Sequence, residues 1–249
     1  MNGLEQTSAI PDSLLTNDDI KKLPLPIAKY IISSGAIGKP KVKNFKIEFS
    51  GRIRKNEKSE WMPFTSEQYN FVDASTRLFF MKATMKHLPV SGFHCFENGY
   101  AFMDIKLLSL FKVEYQSGKK INMAETVTFF NDMCCLAPAT LIDKRIKWTA
   151  IDDHHVKAAF TINNITIHAQ LDFNEKGELV DFISNDRNAI SENNIMVQVP
   201  WSTPLKDYKD FNGYKIISYA DAIYQYPEKN LCYGNFNITN IEYNCVNIK

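Results

Sequence analysis

The residues best suited to do chemistry are charged or aromatic side chains that stand alone in largely apolar stretches. They are Arg77, Asp104, Lys106, Glu125, Trp148, Arg187 and Trp201. A buried charge must be paired, so if these stretches enclose an interior, the side chains form either an ion-pair network or polar anchors in an apolar pocket. Pairing and ordinary exposure are the commoner explanations, because pair networks also occur without a function. We take the seven as candidate ligand-binding residues.

Recognised catalytic and cofactor motifs are missing from the sequence. It has no G-x-S-x-G elbow, H-E-x-x-H pair or dinucleotide-binding glycine fingerprint. Asp152-Asp153-His154-His155 groups four metal-ligating side chains, but successive strand residues point to opposite faces and cannot converge on one ion without a sharp turn. Residues 35–39 and 172–177 only partly match a phosphate loop and a calcium loop. We therefore expect no metal, no cofactor and no catalytic residue.

The composition is that of a nearly neutral protein with free thiols. It has 29 Lys and Arg against 28 Asp and Glu, a net charge of +1. Without a basic field, nucleic acid is not an expected partner. The five cysteines lack C-x-x-C pairs, which favours free thiols in a reducing compartment. Met1 to Thr16 does not resemble a secretion signal, and no apolar run reaches the ~18 residues of a membrane span. We expect a soluble chain, with the cytoplasm favoured.

Alternation with a period of two predicts a large antiparallel sheet. Ile165 to Phe173 alternate apolar and polar residues without a break, which predicts a half-buried strand. Asn98-Gly99 and Asn212-Gly213 are hairpin turn signals. The predicted strands Arg77 to His87 and Tyr214 to Tyr226 are partly apolar on both faces. The sheet is therefore expected to curl around its own side chains, a helix or a ligand.

Helical patterns occupy less of the chain. Residues 1–40, with a helix beginning near Pro26, are expected to form a helical segment packed on a β domain of residues 41–249. Thr65-Ser66-Glu67-Gln68 has a capping-box pattern, which predicts a short helical turn. Asn122 to Cys135 predicts an amphipathic helix laid across the sheet, with Asn122 as its cap. The predicted fold class is mostly β: one curled antiparallel sheet or half-barrel, with N-terminal helices and this amphipathic helix on or in the concave side.

An ordered set of short motifs runs from about Leu23 to Asn244. It comprises Leu23-Pro24-x-Pro26, Ser34-Gly35, Gly38-Lys39-Pro40, Trp61-x-Pro63-Phe64-Thr65, Ile105-Lys106-Leu107-Leu108, Glu125, Trp148, Pro200-Trp201 and Ile241-Glu242-Tyr243-Asn244. In this the chain resembles the bacterial domain-of-unknown-function family numbered 6544, also numbered 6920. The resemblance implies a curled antiparallel sheet like that of lipoprotein-carrier proteins, a fold that commonly holds apolar ligands. It implies no established activity, and the wider fold group includes a cofactor-free enzyme.

Three functions stay open at this point. The leading hypothesis is a non-enzymatic protein that binds a lipid or another apolar small molecule in the concavity of the sheet. The second is a cofactor-free enzyme in which burial raises the pKa of a carboxyl group, Glu125 or Asp104. The third is a partner-binding module that exposes an edge strand.

Overall fold

Strands make up most of the structure, because apolar and polar residues alternate along most of the chain. The computed structural model describes residues 13–190 and 195–247. The helices are α1 (Asn17–Ile20), α2 (Leu25–Ser33) and α3 (Lys119–Leu136), with a 3-10 helix at Pro138–Ile142. The strands are β1 (Asn44–Ile53), β2 (Met62–Phe71), β3 (Thr76–Met85), β4 (Leu88–Glu97), β5 (Tyr100–Leu107), β6 (Phe111–Ser117), β7 (Ile146–Ala150), β8 (His155–Ile162), β9 (Ile165–Phe173), β10 (Leu179–Ser184), β11 (Asn188–Ile190), β12 (Met196–Gln198), β13 (Trp201–Ser202), β14 (Leu205–Phe211), β15 (Tyr214–Gln225) and β16 (Asn230–Tyr243). No helix in these ranges is long and apolar enough to cross a membrane.

One antiparallel sheet contains all of these strands except β11 and β12, which pair with each other. Its order is β6-β5-β4-β3-β2-β1-β16-β15-β13-β10-β9-β8-β7, and β14 also pairs with β15. Strands β1 to β6 form one half as successive hairpins, and β7 to β10 form a meander in the other half. The sheet curls through 256°, and 54% of the described residues lie in strands. The predicted fold class, a curled antiparallel sheet or half-barrel, is confirmed.

Strand β2 corrects one sequence prediction. The capping-box pattern of Thr65-Ser66-Glu67-Gln68 predicts a helical turn, but these residues lie inside β2, paired to β1 on one side and β3 on the other. Pairing on both edges outweighs a local capping signal, because strand formation depends on neighbouring strands more than on intrinsic preference. As a result, Ser66 and Gln68 point into the interior instead of capping a helix.

Helix α3 lies in the concavity and, after its first turn, is buried on every side. From Ala124 to Leu136 only Thr128 is not fully buried. Phe129 contacts Phe96 of β4 at 5.4 Å and Phe160 of β8 at 6.3 Å between ring centroids, so the helix packs on both halves of the sheet. The prediction of a helix in the concave side is correct, but the predicted amphipathic pattern is wrong. The curl of the sheet covers the face that a flat sheet would leave to solvent.

The two halves of the sheet meet at one end, which we call the closed end. There the side-chain amide of Asn163, in the β8–β9 turn, donates to the carbonyl of Asn98 in the β4–β5 turn at 3.1 Å. Arg145, next to β7, donates to the carbonyl of Val72 at 2.9 Å and to the hydroxyl of Ser75. The opposite ends of strands β1 to β5 form the open end. Helix α3 therefore fills the concavity where the sheet closes.

Candidate functional site

A network of buried charged side chains joins α3 to the inner face of β3. Glu125 and Asp132 are seven residues apart in α3, so both carboxylates project from one side of the helix. Arg77 lies between them, with Nη1 3.1 Å from Glu125 Oε2 and Nε 2.8 Å from Asp132 Oδ2. The three side chains are 8%, 2% and 10% exposed for Arg77, Glu125 and Asp132 respectively. Arg77 is thus fixed by two carboxylates of the helix.

Two amides of β2 complete the hydrogen bonding of Asp132. Gln68 Nε2 and Asn70 Nδ2 donate to Asp132 Oδ2 at 2.8 and 3.2 Å. Gln68 Oε1 accepts from Arg77 Nη2 at 2.9 Å. All of these side chains are buried, so each lost bond would leave an unsatisfied group inside the core. The arrangement is that of a structural ion-pair network.

Glu125 has more basic side chains close to it than Asp132 has. Besides Arg77, it lies 3.5 Å from His94 Nδ1 and 3.9 Å from Arg187 Nη1. Burial by itself raises the pKa of Glu125, but His94, Arg77 and Arg187 together lower this pKa to about 2. For Asp132, burial outweighs Arg77 and raises the pKa. Glu125 therefore does not have the raised pKa that the enzyme hypothesis requires.

Comparison with known proteins assigns the chain to a family. The profile of DUF6544, a family of unknown function, matches residues 13–236. The chain belongs to DUF6544. The resemblance found in the sequence motifs is thus confirmed. No curated protein matches the sequence.

Several solved structures are similar to this DUF6544 chain at low sequence identity. A DUF1329 family protein from Desulfovibrio piger has a TM-score of 0.46 and 9% identity, over 95% of this chain and 96% of that chain. A putative outer membrane lipoprotein-sorting protein domain from Vibrio parahaemolyticus has a TM-score of 0.44 and 7% identity, over 83% and 87%. A LolA superfamily protein from Nitrosomonas europaea has a TM-score of 0.43 and 7% identity, over 82% and 88%.

Beside the network, the DUF6544 chain has an aromatic cluster around Arg187. We call Arg187, Trp201, Tyr224 and Tyr233 the Arg187 site. The guanidinium lies 5.2 Å from the centroid of the Trp201 ring, and Trp201 Nε1 donates to the Tyr233 hydroxyl at 3.2 Å. The rings of Tyr224 and Tyr233 stack at 4.7 Å. The Arg187 side chain is 12% exposed, so a cation and three rings meet almost out of contact with water.

Arg187 is incompletely satisfied in this position. Nη1 donates to the carbonyl of Ala124 at 2.6 Å, whereas Nε is buried with no hydrogen-bond partner among the residues described. A buried donor without an acceptor costs about 1–3 kcal/mol. Nε of Arg187 is therefore a buried donor that an additional acceptor would satisfy.

An apolar surface continues from the Arg187 site along the inner face at the open end. Strand register sets Phe64 opposite both Gly51 and Ala83, and Gly51 opposite Phe236. The rings of Phe64 and Phe236 are 5.2 Å apart. The hydroxyl of Ser66, one inward position from Phe64, is buried without a hydrogen-bond partner in the described part of the chain. The interior thus changes from charged at α3 to apolar towards the open end.

The structure brings together four of the seven predicted residues, namely Arg77, Glu125, Arg187 and Trp201. The other three lie elsewhere. Asp104 and Lys106 form a 3.3 Å pair with each other on the outer face of β5. Trp148 packs on Phe130 at 6.2 Å, and its Nε1 donates to the carbonyl of Leu141 at 3.4 Å, which is a core contact of β7.

Several residues of the site are not predicted from the sequence. Gln68 and Asn70 are missed because the capping-box pattern assigns their segment to a helical turn. Asp132 could have been predicted, because its spacing from Glu125 places both residues on the same face of the predicted helix. His94 lies opposite Phe79 of β3 and Met103 of β5, which are both buried, so its inward direction follows from the register of these strands. The pairing of Trp201 with Tyr224 depends on a two-residue strand, which leaves no periodic pattern in the sequence.

Two cavities lie on the outside of the sheet. One of about 480 Å³ is bordered by Cys95, Phe102 and Tyr115, and a polar one of about 470 Å³ lies beside Asn174 and Lys215. Within residues 13–190 and 195–247, no three His, Cys, Asp or Glu side chains are grouped as a metal site. At Asp152, the carboxylate accepts from the backbone amides of His154 and His155 at 2.8 Å, which is a local turn.

Proposed function

We propose that this protein is a non-enzymatic binder of a lipid or other apolar small molecule that carries an acidic group. The acidic group contacts Arg187, and the apolar part lies along the inner face at the open end. The observation that carries the proposal is the buried Nε of Arg187, which has no hydrogen-bond partner among the described residues. An acidic oxygen would satisfy this donor, and the surrounding rings would exclude water from the contact.

The charge distribution supports an acidic ligand over a neutral one. Arg77 and Arg187 bring two positive charges, and Glu125 brings one negative charge because its pKa is about 2. Asp132 is paired with Arg77 at 2.8 Å, so its carboxylate offsets the charge of Arg77. Arg187 is the more weakly paired cation, since Glu125 lies 3.9 Å from Arg187 but 3.1 Å from Arg77, and an acidic group would give Arg187 a closer anion.

The test compares palmitate with hexadecanol, which share a chain length but differ in charge. Binding is measured by quenching of tryptophan fluorescence with brominated forms of the two probes. We expect palmitate to bind about 10- to 100-fold more tightly than hexadecanol, as a hydrogen bond to a charged group would give. In Arg187→Gln this preference should disappear.

Arg54→Gln is the matched control. Arg54 also stacks on a tryptophan, 4.4 Å from the Trp61 ring, and its Nε donates to the carbonyl of Cys232. This variant should keep the preference for palmitate. Equal binding of the two probes by the wild type, or an unchanged preference in Arg187→Gln, would refute the proposal. Native mass spectrometry of the purified protein with lipid extraction would then identify any bound molecule.

A second candidate function is pairing of two copies through β6. This strand ends the sheet, and its residues Phe111, Val113 and Tyr115 are 63%, 58% and 48% exposed. Two such edges can pair about a two-fold axis. Light scattering over a range of concentrations tests this: a dimer that Val113→Lys abolishes supports it, and a monomer throughout refutes it.

A further inference from the structure

Two neighbouring turns at the open end expose large apolar side chains. They are the β3–β4 turn and the β5–β6 turn. Five residues in these turns or at the strand ends next to them form what we call the apolar lip: Met85, Leu88, Leu108, Leu110 and Phe111. The lip residues are 38%, 43%, 41%, 78% and 63% exposed in that order. The apolar lip lies apart from the charged network. A cluster of large apolar side chains exposed to water is typical of an interaction surface.

The two turns form one surface. The Leu108 amide donates to the carbonyl of Pro89 at 2.8 Å, which joins the β5–β6 turn to the start of β4. Leu108 and Ser109 have φ angles of 54° and 58°. Asn and Gly are favoured in such tight turns, whereas a leucine there is uncommon. Leu108 therefore adopts an unfavourable backbone conformation at a position where its side chain is exposed.

The surroundings of the apolar lip are basic. Residues 81–92 and 105–113 contain Lys82, Lys86, Lys106 and Lys112 and no acidic residue. Lys106 is partly neutralised by Asp104 at 3.3 Å, and Lys82 acts electrostatically on Glu67 of the neighbouring strand β2. Lys82, Lys86 and Lys112 are exposed. Exposed leucine and phenylalanine at a projecting turn, flanked by lysines, match the apolar boundary and anionic headgroups of a membrane surface.

We propose that the apolar lip inserts into the interface of an anionic phospholipid bilayer, with the flanking lysines at the headgroups. This goes beyond the proposed ligand binding and does not depend on Arg187. A bilayer is favoured over a protein because exposed apolar side chains and exposed lysines stand together at these turns, which suits an anionic apolar interface. If both proposals hold, the lip brings the open end of the concavity to the membrane.

The experiment is co-sedimentation with vesicles of phosphatidylcholine, with and without phosphatidylserine. We expect binding only when phosphatidylserine is present. Leu110→Asp with Phe111→Asp should abolish this binding. Lys86→Gln should weaken it about fivefold, because each lysine near an anionic surface contributes about that factor.

The matched control is Leu25→Asp with Ile32→Asp, since both side chains are 54% exposed on α2, away from the lip. This variant should bind vesicles as the wild type does. Equal loss of binding in both double variants, or binding that does not depend on phosphatidylserine, would overturn the proposal.

A depth measurement gives a second, independent readout. Leu110→Trp should show fluorescence that brominated phosphatidylserine vesicles quench more strongly than they quench the wild type. If the introduced indole stays unquenched on sedimented protein, another surface binds and the proposal fails. A dimer formed in solution without vesicles and lost in Leu110→Asp would assign the lip to a second copy and refute the membrane proposal.

Discussion

The substitution Arg77→Met tests whether the buried network stabilises the fold. Methionine keeps much of the arginine volume but removes the charge that separates Glu125 from Asp132. Both carboxylates then lie in the interior with one cation fewer. Removal of one partner from a buried ion pair typically costs about 3–5 kcal/mol. Because the Arg77 side chain is only 8% exposed, solvent screening gives little relief.

The loss should be concentrated on Asp132. Glu125 keeps His94 and Arg187 as neighbours at 3.5 and 3.9 Å, whereas the ion pair of Asp132 within the described residues is to Arg77. Adding Asp132→Asn removes the unpaired charge and keeps an oxygen for Gln68 and Asn70. The double variant Arg77→Met, Asp132→Asn should therefore recover about half of the lost free energy of unfolding.

The pH dependence gives an independent check on the same variant. Burial raises the pKa of Asp132 above its ordinary 3.8, and loss of Arg77 raises this pKa further. The folded state then binds a proton more strongly than the unfolded state, so stability falls as pH rises above about 4. Arg77→Met should accordingly be more stable near pH 4 than near pH 7, relative to wild type.

The assay is urea unfolding followed by circular dichroism, with the slope m compared between variants. A loss below about 1 kcal/mol in Arg77→Met would place this network outside the usual range for buried pairs and refute the argument. So would a double variant no more stable than the single one. A changed m would instead mean that the compactness of the folded or unfolded state had changed.

Three other parts of the structure allow equally direct tests. The pKa of Glu125 falls from 4.5 to about 2 on folding. Its ionised form therefore stabilises the folded state by ~3 kcal/mol above pH 4.5, and this stabilisation is lost as the pH falls towards 2. In urea titrations at several pH values, Glu125→Gln should reduce the loss of stability between pH 4.5 and pH 2. Burial raises the pKa of the Cys134 thiol well above 9.0, so iodoacetamide should label half-buried Cys95 much faster than Cys134 in the folded protein, as peptide mass spectrometry can measure. Gly51→Ala would put a methyl group 2.0 Å from a backbone oxygen of β16, so it should lower the midpoint of thermal unfolding by several degrees. Gly92→Ala would meet the flexible end of a methionine side chain at 3.1 Å, so it should change this midpoint far less.

The strands are largely predictable from the sequence, because the period-two alternation records burial directly. Ile165–Phe173 has the bounds that the alternation predicts. The predicted start of helix α3 lies within three residues of the observed one, yet its predicted amphipathic character is wrong. Asn122 has the residue type of a cap, but the helix begins at Lys119 and Asn122 instead accepts from the Ala101 amide at 2.8 Å. A local cap signal carries no information about a neighbouring strand.

The candidate site is predictable only in part. Arg77 and Glu125 are recognisable as lone charges in apolar stretches, and they do meet. Asp104 has the same signal, but its strand exposes that face, because the register around β5 turns Ala101 and Met103 inward. The sequence pattern identifies two faces of a strand, whereas the curl of the sheet decides which face encloses α3.

The burial of α3 between both halves of the sheet also bears on how the chain folds. The Asn98 and Asn163 turns close the sheet over this helix. We therefore expect the helix to dock on one half first and the closing contact to form late. Contacts between residues so distant in sequence form slowly, since loop closure precedes any gain in packing. The position of α3 thus bears on the order in which the parts of the fold assemble, and not only on whether the helix forms.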